Sequence, residues 1–232
     1  MIYDNISHSL KDMKRKFDNL SLVKDTSGLA LVEFAFTAPL LLTFGLGGLE
    51  TANLAVAHLQ VSQVAMLAAD NASRVRTTID EADIREIFTG VHLTGNSIDF
   101  SPNARVILSN LEHNGLLGSD EGQWIRWQRC YGSNTKYSSS YGAEGDGRTD
   151  SSLAGGIGPT GKKIEATAAT AVNFVEVVYD YKPLVSDRFF GEVVIRYQSA
   201  FVSRERADHA LRNASSIPAS ELWTCNRYAT VS

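Results

Sequence analysis

Apolar residues gather near the start of the chain. Residues 29–49 read LALVEFAFTAPLLLTFGLGGL, and Glu33 is the only charge among them. A helix needs about 20 predominantly apolar residues to cross a hydrocarbon core, so this run is long enough. The competing reading, a core helix of a soluble protein, calls for a polar face that the run lacks. The helical pattern continues beyond the run, because residues 51–76 are rich in Ala, Leu, Gln and Met and contain neither Pro nor Gly. A helix over residues 29–76 would extend about 72 Å, more than twice a bilayer core of about 30 Å. Half of it must therefore project outward. Ala52, Val56, Leu59, Met66 and Ala69 are the expected apolar face of that half, with Asn53, Gln60 and Gln63 on a more polar one. Pro39, Gly45, Gly47 and Gly48 predict a bend within the membrane half.

After Arg76 the period changes. Residues 78–88 predict a short amphipathic helix that buries Ile84, Ile87 and Phe88 and carries acidic residues in its first turn. Four β-type runs follow, at 105–111, 124–130, 172–181 and 193–202, with Pro183 closing the third. Runs of this kind, joined by connections that permit hairpins, favour an antiparallel sheet. The outer half of the long helix is expected to pack on it. The fold class is α+β, with a leader over 1–28, a transmembrane and stem helix over 29–76 and an exported domain over 77–232. Between the second and third runs, residues 132–161 hold eight Gly and six Ser, which predicts a flexible surface loop.

Charge gives the helix a direction. Lys11, Lys14, Arg15, Lys16 and Lys24 precede the apolar run, and the next basic residue is Arg74. The positive-inside tendency keeps the N-terminus in the cytoplasm and exports the remainder. The net charge of −4 argues against an electrostatic nucleic-acid binder. Cys130 and Cys225 both fall in the exported part, where an oxidising compartment permits a disulfide; two unpaired thiols are the alternative. Two isolated cysteines without a neighbouring His make a poor metal site.

Glu33 is expensive in a membrane helix and calls for a partner. It lies five residues after Gly28 in the string Ser27-Gly28-Leu29-Ala30-Leu31-Val32-Glu33-Phe34. Glycine leaves the backbone open to a protease at that point. Cleavage there would free an α-amine at Leu29, largely cationic at neutral pH with a reference pKa of about 7.7 to 8.0. Glu33 stands about one helical turn further on, placed to pair with that amine or with a neighbouring subunit's.

This string resembles the processing site of type IV pilin precursors, above all the TadE-like minor pilins of tight-adherence pili. The resemblance implies cutting after Gly28 by a prepilin peptidase, with Leu29 as the new N-terminus, Glu33 as the fifth residue of the mature chain and the aromatic Phe34 beside it. It implies other minor pilins and the pilus assembly machinery as partners, the lipid bilayer as environment, and a role in surface attachment. Tyr179 to Leu184, Arg204 and Arg206 look like the C-terminal part of the same family. Two rival readings use the same run. Ala55-Val56-Ala57 resembles a signal peptidase site, although 21 apolar residues exceed the usual signal core. An uncleaved signal anchor, serving an envelope protein with a partner-binding domain, is the other.

Catalytic signatures are missing from the sequence: His8, His58, His92, His113 and His209 are scattered, and no nucleophile elbow or zinc motif occurs. The chain is expected to be neither an enzyme nor a cofactor binder. Residues 156–161 satisfy GxGxxG, and 156–162 satisfy GxxxxGK, but Lys163 stands where a phosphate loop needs Ser or Thr, and Pro159 removes an amide. Nucleotide is therefore not an expected ligand. Trp124, Trp127, Tyr137 and Tyr141 flank the loop as either core residues or a partner-binding surface.

Overall fold

The computed structural model describes residues 27–186, 191–203, 206 and 208–230. The basic leader up to residue 26 and Arg204 lie outside the described residues. The chain divides into two compact units, one ending at Thr51 and the other starting at Ala52.

A single helix, α1 (Ser27–Arg74), contributes to both units and runs without a break through Pro39 and Gly45, Gly47 and Gly48. Within the first unit its leucines and phenylalanines are exposed all round. Three threonines there satisfy their own hydroxyls. Thr37, Thr43 and Thr51 donate to the carbonyls of Glu33, Pro39 and Gly47, each four residues back, at 3.0, 2.7 and 2.8 Å. Each hydroxyl is thereby satisfied within the helix itself.

In the second unit the buried face of α1 differs from the expected one. Ala57, Val61, Val64, Ala65, Ala68, Ala69 and Ala72 are covered, whereas Val56, Leu59 and Met66 are 47, 64 and 48% exposed. The physical reason is the partner. The sheet supplies the bulk, through Val106, Leu108, Val175, Val177 and Tyr179. A stripe of small side chains lets the helix lie close to it.

Strand β1 (Ile79–Asp80) leads into α2 (Glu81–Gly95), which is longer than the expected 78–88 and buries Ile84, Ile87, Phe88 and Val91. Asp80 caps it. Its carboxylate accepts from Ala82 N at 3.0 Å, while Asp83 accepts from Asp80 N at 2.8 Å, a reciprocal capping box. Asp80 also accepts from Ala214 N at 2.6 Å and from Ser215 Oγ at 3.1 Å. Those bonds tie the helix start to β6 (Leu211–Arg212), which pairs in parallel with β1. A two-residue parallel pairing leaves no sequence pattern and was not expected.

After the short α3 (Phe100–Asn103) comes the sheet: β2 (Ala104–His113), β3 (Gln123–Tyr131), β4 (Ala171–Asp180) and β5 (Val194–Val202). Their order is β3-β2-β4-β5, and every neighbouring pair is antiparallel. All four expected runs are present within two residues. Asn110 faces Trp127 in register, but Leu111 faces Ile125, so Arg126 is the extra residue of a β-bulge. The bulge flips the parity of β3. Trp127 joins the helix-side core, and Ile125 joins a second cluster on the opposite face.

That opposite face is covered by the Gly/Ser-rich connection, which is folded rather than loose. Leu153, Ile157, Ile164 and Tyr141 pack on Leu111, Ile125, Val172 and Phe174. The Gln123 side-chain amide exchanges two hydrogen bonds with the Ala166 backbone, at 3.1 and 2.8 Å. Glu176 on β4 accepts from Ser139 Oγ at 2.6 Å and Ser140 N at 2.9 Å. Burial pushes its carboxyl above the usual range despite those two bonds. With both faces of the sheet covered, β4 is buried along nearly its whole length, which explains why its inward and outward positions are almost equally apolar.

Two predictions follow from these contacts. Ala68→Leu should destabilise the sheet unit by about 1 to 3 kcal/mol through overpacking, whereas Leu59→Ala should stay within about 0.5 kcal/mol, both read by chemical denaturation of the full-length protein. Asp80→Ala should cost about 1 kcal/mol for the lost cap alone. The Asp80 carboxyl is held below its ordinary value by bonds from Ala82, Ala214 and Ser215, which outweigh its burial. A carboxyl lowered in the folded state stabilises fully above the ordinary carboxylate range and loses that contribution as pH falls through its lowered value. The gap between wild type and Asp80→Ala should therefore be widest above about pH 5 and close as the pH drops below about 4.

Candidate functional site

Gly28, Leu29, Glu33 and Phe34 all lie in the first turns of α1. A Cβ placed on Gly28 would meet nothing within 4 Å among the described residues, as is also true of Gly45, Gly47 and Gly48, so no described packing requires glycine there. Leu29 and Glu33 are separated by four residues and so share one face of the helix. Leu29 is 68% exposed and Phe34 67% exposed. The Glu33 side chain is also exposed, and among the described residues its carboxylate has no hydrogen-bond or ion-pair partner. The helix is long and apolar enough to cross a membrane, and none of its most apolar 18-residue stretch is buried within the protein.

Residues 28–70 match the model of a protein family described as TadE-like protein. Over that stretch, under a fifth of the chain, the sequence is similar to TadE-like proteins. Neither the curated proteins nor the solved structures returned a match to it. The TadE-like match opens at Gly28, covers Glu33 and Phe34, and takes in most of the alanine stripe. It ends before α2, so the resemblance of Tyr179 to Leu184 and of Arg206 to the same family lies beyond the matched residues.

Cys130 and Cys225 are joined as a disulfide, which settles the choice left open by the sequence. The bond sits in a clamp that the sequence did not announce. Arg105 on β2 is 1% exposed and, among the described residues, has no carboxylate on it. Its guanidinium donates to Gly132 O at 2.7 Å, Cys225 O at 2.7 Å and Arg227 O at 3.1 Å, and lies 4.3 Å from the ring centre of Tyr228. Cys130 N donates to Trp223 O at 2.7 Å, and Gly132 N to Ala229 O at 2.9 Å. Gly132 has φ +99°, and a Cβ there would lie 2.3 Å from Ala104 O, so only glycine serves. The C-terminal segment thus covers the outer edge of β3. Arg105 was hidden because a lone arginine in a β-run reads as a solvent-facing residue.

A buried ion pair locks α2 to the sheet. Arg129 Nε donates to Glu81 Oε1 at 2.9 Å, Arg129 Nη1 reaches Glu144 Oε2 at 3.0 Å, and both Arg129 and Glu81 are under a tenth exposed. Glu81 is the first-turn acid expected from sequence, turned inward by this partner.

The remaining candidates resolve individually. Trp127 is core, and its indole donates to His209 O at 2.9 Å. Trp124 is half-buried, with Arg148 5.4 Å and Arg126 6.0 Å from its ring. Tyr137 donates to Asp180 Oδ1 at 2.5 Å, and burial together with that carboxylate pushes its hydroxyl up to about 12. Tyr141 packs edge-on against Phe174. His58 meets Tyr197 OH at 3.3 Å. His92 Nδ1 lies 3.1 Å from Ser101 Oγ and 2.9 Å from Tyr131 OH, a triangle without a carboxylate behind the imidazole, which holds the turn after α2 against β3. His113 Nδ1 accepts from Gly115 N at 3.0 Å, and burial and two arginines lower the pKa of His209. His8 lies outside the described residues. Among the described residues no three His, Cys, Asp or Glu side chains cluster as metal ligands. The GxGxxG run turns a small hairpin closed by the bridge between Ile157 and Ile164, with no helix following it. Gly156, at φ +75°, would place a Cβ 2.1 Å from Ile164 O. The glycines there serve a turn.

Replacing both cysteines by serine should lower stability by about 2 to 5 kcal/mol, given that the crosslink closes a long loop. Denaturant titration of the full-length protein with and without reductant checks it: wild type under reductant should fall to the level of the double variant, and the double variant should not respond.

Proposed function

We propose that the chain is a pseudopilin of a tight-adherence pilus, processed by prepilin peptidase between Gly28 and Leu29 and acting in pilus assembly and surface attachment. It is held in the bacterial inner membrane by residues 29–49, with its N-terminus cytoplasmic and its sheet unit in the periplasm. The observation that carries this reading is Glu33: a carboxylate on a membrane-length helix, inside the TadE-like match, with no partner among the described residues. An ionised group in that setting is costly unless paired. The α-amine freed at Leu29, in its own chain or in a neighbouring minor pilin, is a partner of opposite charge about one helical turn away. The open Gly28 suits a peptidase at the cytoplasmic surface. The sheet unit then needs no catalytic group and no cofactor. Its task is to present surfaces to other minor pilins and to the assembly machinery.

N-terminal sequencing of the membrane-extracted protein should begin at Leu29. A chain that still starts at Met1 contradicts processing and favours an uncleaved anchor, and one that starts at His58 favours a secretory signal. Glu33→Ala should leave cleavage in place while lowering co-purification with pilus partners about tenfold, the loss expected of a charge-assisted contact. A plain anchor would tolerate the substitution.

A further inference from the structure

The second unit contains a cleft of ≈ 200 Å³ between the first turns of its part of α1, the turn after α2 and the end of β4. Asn53, Asp99, Tyr179, Tyr181, Lys182 and Leu184 line it. Its inner wall is already committed. Tyr179 donates to Ile98 O at 2.7 Å, Tyr181 OH accepts from Asn53 Nδ2 at 2.6 Å, and both tyrosines are at most 5% exposed. Its rim is not. Asp99 and Lys182 are exposed, carry opposite charges, and neither forms an ion pair with another described residue. Asp99 holds a left-handed backbone, φ 52° and ψ 45°, at the corner between the turn and α3. Leu184, next to this charged rim, is 62% exposed.

The place of the cleft along the chain gives these features a ligand. Asn53 follows the last residue of the apolar run by four positions, about 6 Å of helix. The polar headgroup layer on each side of a bilayer is about 5 to 7 Å deep. Lysine is a side chain that settles at that level, its stem along apolar surface and its ammonium among the headgroups. Resting on the reading that residues 29–49 span the membrane, we propose that this cleft binds the headgroup of a zwitterionic phospholipid bearing a primary ammonium. The phosphate lies against Lys182 Nζ and the ammonium against the Asp99 carboxylate, with the exposed Leu184 beside them. A purely anionic headgroup satisfies Lys182 but is repelled by Asp99. A quaternary ammonium offers Asp99 no N–H to accept.

The test uses the full-length protein recovered from membranes, delipidated in detergent and titrated by native mass spectrometry. The lipids are phosphatidylethanolamine, phosphatidylglycerol and phosphatidylcholine with identical acyl chains. One phosphatidylethanolamine should be retained in preference to the other two, and Asp99→Asn and Lys182→Gln should each weaken it about tenfold. Equal or tighter binding of phosphatidylglycerol, or an Asp99→Asn variant that binds as wild type does, overturns the proposal. Both residues are exposed, and an intact disulfide with unchanged thermal unfolding checks that each variant is folded. Protein that never appears in the membrane fraction refutes the anchor reading. Membrane-recovered protein without headgroup preference refutes the cleft alone.

Discussion

A four-stranded sheet whose two central strands are buried on both faces needs a cover on each side, and on one side the alanine-rich half of α1 supplies it together with α2. Small residues at Ala57, Ala65, Ala68 and Ala72 make close approach possible, and the valines of β4 and the rings of Tyr179 and Phe100 fill the space beneath. Burial of apolar area drives the contact at about 25 cal/mol per Å². Its closeness also fixes the partners that only a close helix can reach, such as Ser73 with Phe201 O and His58 with Tyr197. The α2 helix completes the same layer through Phe88, which meets both Tyr131 and Trp223 and so touches the segment held by the disulfide.

Where α1 ends, the contact turns polar. Asn110 and Asn173 face each other across β2 and β4, and Asn110 donates to Asn173 at 3.1 Å. Asn173 then donates to Ser73 and Ser203, while Arg206 donates to Ala72 O at 3.1 Å and to Ser203 at 2.8 Å. A cation at the C-terminal end of a helix meets its exposed carbonyls and its dipole favourably. This network specifies where the helix stops along the sheet, since sliding it by one turn would bury unpaired amides.

The legibility of the sequence followed the reach of the signal. Period-2 runs and the long apolar helix were local, strong patterns, and each appears where it was read. The buried face of α1 was not legible, because size pointed to Leu59 and Met66 whereas the sheet required small side chains. Arg105 and the Glu81 to Arg129 pair were hidden for a related reason: a charged residue carries no local mark of being buried. Asn110 and Asn173 did leave a trace, since asparagine in mid-strand is unusual and asks for a polar partner. The bulge at Arg126 left none, yet it alone decides which of two neighbouring apolar side chains meets the helix layer. At the candidate site, the spacing from Gly28 to Glu33 was fully readable, because it is a matter of sequence and needs no tertiary contact.

The alanine stripe also bears on what counts as the domain. Residues 57–72 roof Val175 and Val177 of β4, so a fragment beginning after α1 would carry a sheet with part of one face opened to water. The sheet unit is therefore not a module that is complete without α1. It borrows part of its core from the second half of that helix. A graft of residues 77–232 onto a foreign anchor would not inherit the fold, whereas one that begins at Ala52 would carry its roof along.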